Sequence, residues 1–295
     1  MTEPRRLFCF GLGYSALALA DRLGERGWRI AGTCRTGDRR AALEARGVET
    51  FVFDGARRIS DPRAALAATT HIVSSVPPGR GDSQIGDPVL AAHGADIAAL
   101  KGVEWIGYLS TTGVYGDRAG GWVDEGSALV PTGDRGKRRA AAEAAWLDLT
   151  RRHGLPVHVF RLAGIYGKGR SAIDTVRAGQ AKRIDKPGQV FSRIHVDDIA
   201  RVLAASIAKP NPGAIYNVCD DDPAPPEAVI AEACRLLGVA PPPLVAFERA
   251  KAGLSDMARS FYADNKRVRN DRIKRELGVT LRYPSYKDGL RALLA

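Results

Sequence analysis

The chain of 295 residues is long enough to bury a sizeable core and too short for more than about two ordinary domains. Hydrophobic residues make up 45% and charged residues 26%, a balance that excludes a disordered chain. Lys and Arg number 44 against 33 Asp and Glu, and the resulting +11 fits nucleic acid, an anionic membrane surface or small anionic ligands.

Met1 to Arg6 leads into a strand without a signal-peptide pattern. No apolar run approaches the roughly 20 residues that span a bilayer, so a soluble, cytoplasmic protein is expected. Leu7–Phe10 reads as a short buried strand, followed by a helix over Ser15–Arg26 with Leu17, Ala20 and Leu23 in helical spacing. Further strands are expected at Trp28–Thr33, Glu49–Phe53, His71–Val76, Trp105–Ser110, Val157–Leu162 and Ala214–Val218. Helical patterns lie between them at Arg39–Arg46, Ala64–Ala68, Pro88–Leu100, Arg138–His153 and Val196–Ala208. Fully apolar strands bounded by helices predict an α/β fold with a doubly wound parallel (Rossmann) sheet. Cys9, Cys34, Cys219 and Cys234 have no C-x-x-C spacing, and the His residues form no ligand set, so no disulfide framework and no metal site are expected. Beyond Pro241–Pro243 the chain turns more basic, with 12 Lys/Arg and 6 Asp/Glu from Glu248 to Ala295. Those charges interleave with Val268, Ile273, Leu277, Leu281, Leu290 and Leu293, the pattern of a folded surface layer.

The first strand–helix junction reads Gly11-Leu12-Gly13-Tyr14-Ser15-Ala16, a G-x-G-x-x-A pattern. The first Gly allows a tight turn, the second lets a pyrophosphate approach the backbone, and the small third residue lets helix and strand close together. The helix start then offers free N–H groups to phosphate. At the end of the second strand an NAD site usually carries Asp or Glu for the ribose 2′-hydroxyl. Here Arg35 stands there, with Arg39 and Arg40 following, and a guanidinium suits a 2′-phosphate. NADP is therefore expected, with NAD as the alternative. Asp54 ends the third strand and is a candidate for the adenine amino group or a plain turn residue. Ser74, Ser75 and Val76 are expected to run under the cofactor ribose.

Four later segments complete the pattern: Leu109–Asp117 (LSTTGVYGD), Val123–Glu125 with Pro131 downstream, Arg161–Gly167 (RLAGIYG) and Ile194–Ala200 (IHVDDIA). In this order and spacing, and with Tyr216-Asn217-Val218 as a late strand, the chain resembles the extended short-chain dehydrogenase/reductases, the NAD-dependent epimerase/dehydratase family. The run from Asn265 to Tyr286 resembles an atypical branch of it. The resemblance implies a Ser/Thr–Tyr–Lys site, with Thr111 as the hydroxyl that orients a substrate carbonyl or hydroxyl. It also exposes a departure. With Gly136 and Glu143 set in the family positions, Arg135 falls where the Tyr belongs and Arg139 where the Lys belongs. No Tyr occurs between Tyr115 and Tyr166. An Arg, with a pKa of about 12.5 or more, is a poor general base at neutral pH. Arg139 can still supply a fixed charge and a ribose donor, so it joins Gly11, Leu12, Gly13, Tyr14, Ser15, Arg35, Asp54, Ser74, Ser75 and Val76 as an expected cofactor contact. Tyr115, Tyr166, His195 and the pair Asp124/Glu125 are the other protonic groups to weigh.

The expected organisation is a dinucleotide-binding domain over 1–168, completed by 192–238, with 169–191 and 239–295 as a small substrate-side cap. The expected activity is that of an NADP-dependent oxidoreductase or epimerase/dehydratase-like enzyme. Its substrate would be small, anionic or nucleotide-linked, bound in part by Arg135, Lys137, Arg138 and Arg139. The alternative is a protein that binds NAD(P) as a sensor or structural ligand without catalysis. No nucleic-acid-binding motif supports a nucleic-acid partner, and a homodimer is implied by the resemblance.

Overall fold

The computed structural model describes residues 5–79 and 86–294, so Met1–Pro4 of the expected leading run lies outside the described residues. The chain separates into two compact units. The first comprises 1–111, 137–161 and 199–216, and the second 112–136, 162–198 and 217–295.

The first unit is built on the expected sheet. Its strands are β1 (Arg6–Phe10), β2 (Arg29–Cys34), β3 (Glu49–Val52), β4 (His71–Ser74), β5 (Trp105–Thr111), β6 (Val157–Leu162) and β7 (Ile215–Val218). They run parallel in the order 7-6-5-4-1-2-3, with β1 and β4 at the switch point. In such sheets the crevice beyond the strand carboxyl ends at the switch point receives the ligand. Its longer helices are α1 (Tyr14–Gly24), α2 (Gly37–Glu44), α3 (Pro88–Ala98), α4 (Asp134–His153) and α5 (Val196–Ala208). Asp87 caps α3 by accepting from the Val89 and Leu90 amides, and Pro88 at the first helical position loses no needed donor. Phe8, Phe10, Ile72, Ile106, Tyr108, Trp146, Val157 and Val159 form one buried cluster.

The sheet differs from the sequence reading at one useful place. β4 stops at Ser74 rather than Val76. The Ser75 amide still donates to the Phe10 carbonyl (2.9 Å), but Pro77 and Pro78 have no N–H with which to continue a ladder. The Ser75 hydroxyl turns away to bond elsewhere.

The second unit is made of pieces too short to announce themselves. Parallel pairs of two or three residues join Trp122–Val123 to Arg267–Val268, Gly164–Tyr166 to Arg193–His195, and Arg183–Asp185 to Leu244–Ala246. Tyr166, Ile173, Val229, Ala233, Tyr286 and Leu290 form its core. The basic tail is folded, as its apolar spacing indicates: Val268, Ile273, Leu277, Leu281 and Leu290 are buried. Asp198 ties it down by accepting from the Arg282 and Tyr283 amides at 2.7 and 2.9 Å.

Two buried imidazoles of the first unit make its stability sensitive to acid. Burial pushes both His71 and His158 down to about 4 from an ordinary 6.5, with the Arg5 charge adding to the effect at His71. His158 Nδ1 lies 3.2 Å from the Ile106 carbonyl, and Nε2 accepts from the Asn211 amide at 2.9 Å, an arrangement that only the neutral ring satisfies. Above pH 6.5 both folded and unfolded chains hold neutral His. Below it the unfolded chain takes up protons that the folded chain refuses until about pH 4, so stability falls across that window. We predict that between pH 7 and 5 the wild type loses about 1–2 kcal/mol more than His158→Gln. Urea denaturation at both pH values measures this, and parallel losses would contradict it.

Candidate functional site

The turn after β1 is fixed by two hydroxyls. Gly11 takes φ +83°, a conformation that side chains other than Gly rarely adopt. A Cβ there would also lie 2.9 Å from Ser75 Oγ and 3.1 Å from Val76 Cγ2. The Gly11 amide donates to Thr33 Oγ1 at 2.8 Å, and the Ser75 hydroxyl donates to the Gly11 carbonyl at 2.6 Å. Leu12 is buried, with its amide donating to the Thr33 carbonyl at 2.7 Å. Leu12 and Ser75 thus shape the loop from within.

Gly13 is different. It is exposed, its φ of −88° is open to any residue, and a Cβ would meet only Ser75 Oγ, at 3.9 Å. Nothing in the chain itself requires a Gly here. It is also the N-cap of α1, where no side chain caps the helix and no acidic residue enters the first turn. Tyr14 and Ser15 open this helix, half-buried and buried. A bare cradle in front of a helix start fits a pyrophosphate, which would take the N–H groups and the favourable end of the helix dipole.

Beside it, β2 ends in buried Cys34, and Arg35 follows fully on the surface side. Among the described residues neither Arg35 nor Arg39 has an ion pair, whereas Arg40 is bound to Glu44 at 2.8 Å. Asp54 serves its own turn. Its Oδ1 accepts from the Ala56 and Arg57 amides at 2.9 and 3.1 Å, and these bonds hold the carboxyl below the usual carboxylate range. Ser74 Oγ is buried without a hydrogen-bond partner among the described residues, and Val76 is half-buried beside Gly11.

Thr111, half-buried, is the last residue of β5, before a tight helical turn over Thr112–Tyr115. The strand end is braced by a buried network. The Arg161 guanidinium grips Glu143 through Nε and Nη2, at 3.1 and 2.8 Å to Oε2, and the Ser110 hydroxyl donates to Oε1 at 2.5 Å. Glu143 is therefore a paired buried carboxylate that locks α4 to β5 and β6. Arg139, one turn earlier on α4, donates from Nη1 to the Tyr108 hydroxyl and the Leu109 carbonyl, both at 3.0 Å. Its charge is held at the end of β5.

In the second unit Gly136 packs against Pro131 and Gly113, where a Cβ would approach to 2.7 and 3.0 Å, so the start of α4 is closely seated. The Arg135 guanidinium lies over the Phe261 ring, 5.9 Å from its centroid. The other protonic groups each take part in structural contacts, though His195 Nε2 is buried without a hydrogen-bond partner among the described residues. The Tyr115 hydroxyl donates to Asn217 Oδ1 at 2.7 Å, and Glu125 accepts from the Asn217 amide at 2.8 Å. Burial pushes Tyr166 up, and its ring lies against Gly289. His195 is buried, with Nδ1 accepting from the Asp197 amide at 3.2 Å, and burial pushes it down. Asp124 stays in its own surface turn, accepting from Gly126 and Ser127. Sequence reasoning missed Thr33 as the acceptor that fixes Gly11. The signal for it is its register, one residue beyond the Cys9–Gly32 pair.

Comparison with known proteins agrees with this geometry. Residues 90–219 match the family model described as the NAD dependent epimerase/dehydratase family. A protein of unknown function from Silicibacter pomeroyi DSS is 52% identical, with a TM-score of 0.88 over 98% of both chains. Protein YeeZ of Escherichia coli (strain K12) is 27% identical over 289 residues, 95% of this chain and 97% of that one. UDP-glucuronic acid 4-epimerase from Bacillus cereus, solved in complex with NAD, shares the fold with a TM-score of 0.77 at 15% identity, over 97% of this chain and 94% of that one. Among the described residues no helix is long and apolar enough to cross a membrane. A parallel sheet with a glycine loop at its switch point thus accompanies a match, over residues 90–219, to the NAD-dependent epimerase/dehydratase family.

Proposed function

We propose that the chain is an NADP-dependent oxidoreductase or epimerase/dehydratase-like enzyme acting on a small anionic substrate. The observation that carries this reading is Gly13, a bare residue that the fold does not need, set before an uncapped helix start. In this reading the pyrophosphate lies over Gly13 and takes the amides that open α1, with Tyr14 and Ser15 beside it. Arg35 and Arg39 hold a 2′-phosphate, which a carboxylate at the same place would repel. Asp54 would turn to the adenine edge the oxygen that lies 3.9 Å from Arg57 Nη2, and Ser74 would offer its unbonded hydroxyl beneath the ribose. Ser75 and Val76 act one step back, by holding Gly11.

When bound, the nicotinamide supplies the hydride acceptor or donor. Thr111 orients the substrate carbonyl or hydroxyl. Arg139 contributes a fixed positive charge with spare N–H donors, the role a Lys plays in relatives, without the ability to titrate near neutral pH. Proton transfer has moved away from the family position, because Arg135 cannot act as its base. Burial pushes Tyr108 and Tyr166 up and Tyr115 is bound to Asn217, so none of these is poised to replace it. Arg135, Lys137 and Arg138 instead favour an anionic substrate. The first unit is read as the cofactor domain and the second as the unit that selects substrate. Four buried free thiols suit a reducing, cytoplasmic setting, and a homodimer follows the family pattern.

The absent Tyr favours a second reading, in which the chain holds NADP as a sensor without turnover. A screen of carbonyl and anionic sugar substrates with NADPH separates the two. The enzyme reading predicts NADPH oxidation that Thr111→Ala lowers by about 10–100-fold, and the sensor reading predicts binding with no oxidation.

Two substitutions test the cofactor site by calorimetry. Gly13→Ala is expected to leave stability within about 0.5 kcal/mol, because its Cβ enters free space. It should weaken NADPH binding by at least about tenfold, since the same Cβ occupies the pyrophosphate position. Equal affinity in the variant would remove the reading of Gly13. Arg35→Asp should cost NADPH about tenfold or more in affinity while sparing or improving NADH, and an unchanged preference would contradict the assignment to NADP.

A further inference from the structure

Two opposite charges of the first unit face each other without an ion pair. Asp87 is fully buried, and every hydrogen-bond partner it has among the described residues is neutral. Its Oδ1 accepts from the Val89 and Leu90 amides at 3.0 and 3.1 Å, and its Oδ2 accepts from the Trp146 indole at 3.1 Å. Arg139 is half-buried on α4, two turns before Trp146. Its Nη1 donates to the Tyr108 hydroxyl and the Leu109 carbonyl, both neutral. Among the described residues its Nε and Nη2 have no hydrogen-bond partner, and no acidic side chain lies within ion-pair distance of it.

A pair of rings separates the two charges. Tyr108 and Trp146, both fully buried, stack with centroids 5.6 Å apart and planes at 21°. The Arg139 guanidinium lies 5.6 Å from the Tyr108 centroid. Asp87, Trp146, Tyr108 and Arg139 therefore form a continuous run of contacts from the cap of α3 to the last residues of β5. The charges act on each other through it. Burial pushes the Asp87 carboxyl up, while its hydrogen bonds and the Arg139 charge draw it back. Burial also pushes the Tyr108 phenol up, and both charges act on it. Glu143 acts on Tyr108 as well, but its carboxylate is already held by Arg161 and Ser110.

We propose that Asp87 is a positioning residue for Arg139. Its carboxylate, set behind the Trp146–Tyr108 stack, is the counter-charge that keeps the guanidinium at the end of β5 and leaves Nε and Nη2 for the cofactor ribose. The inference rests on the role given to Arg139 above and adds the residue that sustains it. A carboxylate in direct contact would take the guanidinium fork, as Glu143 takes Arg161, and leave few donors for a ligand. With no counter-charge at all, a half-buried cation would be poorly compensated. A carboxylate behind two rings meets both requirements, because attraction in a low-dielectric interior extends beyond contact distance. Helix capping alone does not account for Asp87. A cap needs one oxygen, which Ser, Thr or Asn also provides, whereas the second oxygen of Asp87 is turned to Trp146.

The test is a double-mutant cycle on the full chain, read as NADPH affinity by calorimetry. Asp87→Asn keeps a capping oxygen and removes the charge, and with Arg139 in place it should weaken NADPH binding about threefold or more. In an Arg139→Gln background the same change should cost less than about 1.5-fold, because no cation remains to be positioned. Equal losses in both backgrounds, or no loss in either, would overturn the proposal and leave Asp87 as a cap. If the new amide meets the Trp146 N–H and the variant misfolds, the cycle is run in Trp146→Phe, which keeps a ring and removes that clash. A second readout needs no cofactor. Followed by carbon NMR, the Asp87 carboxyl should titrate about half a pH unit or more higher in Arg139→Gln than in the wild type. A cap alone would not show this, and an unmoved titration would overturn the proposal. Retained NADPH binding without coupling removes this proposal alone, while absent NADPH binding by the wild type removes the reading beneath it and this proposal with it.

Discussion

The grip of two hydroxyls on Gly11 governs the geometry of the first unit's ligand end. Thr33 takes the Gly11 amide and Ser75 holds its carbonyl, so the turn is fixed on both sides by neighbouring strands of the sheet. With that turn fixed, α1 begins at Tyr14 behind an N-cap, Gly13, that lends it no side-chain hydrogen bond. Each bond alone contributes about 1 kcal/mol net. Their importance lies in direction. They hold a flexible Gly pair in one orientation, so the phosphate proposed to bind there would pay little to order it.

A second constraint sets the other end of the site. The Ser110–Glu143–Arg161 network is fully buried, and removing one partner of such a group costs about 3–5 kcal/mol by stranding the other charge. It fixes α4 against β5 and so fixes Arg139 at the strand end that carries Thr111. In the proposed reading, Arg139 preserves the positive charge of the family Lys, and Arg135 sets a permanent cation where the family has a proton carrier. On that reading the loss of an acid–base site goes with the gain of an anion site, and part of the +11 net charge falls where the proposed anion would bind.

Much of the first unit was legible in the sequence because its signals are local. Fully apolar strands such as Leu7–Phe10, a Gly pair between strand and helix, and Thr111 after Trp105–Ser110 each announce themselves within a few residues. α4 begins at Asp134, four residues before the apolar spacing from Arg138 reveals it, because its first turn is charged and exposed. The second unit was legible only in its fringe motifs. Its strands of two or three residues have no period to detect, and they exist because distant segments such as Trp122–Val123 and Arg267–Val268 meet. The Ser75 hydroxyl serves the Gly11 carbonyl, a bond that no motif announces. A side chain's partner 64 residues away cannot be read from spacing.

The account stands most directly on where a dinucleotide lies. A crystal structure of the full chain with NADPH should show the pyrophosphate over Gly13, the 2′-phosphate on Arg35 or Arg39, and nicotinamide C4 facing the Thr111 hydroxyl. A dinucleotide bound away from the Gly11–Ser15 loop, or a pyrophosphate that leaves Gly13 uncovered, would contradict it.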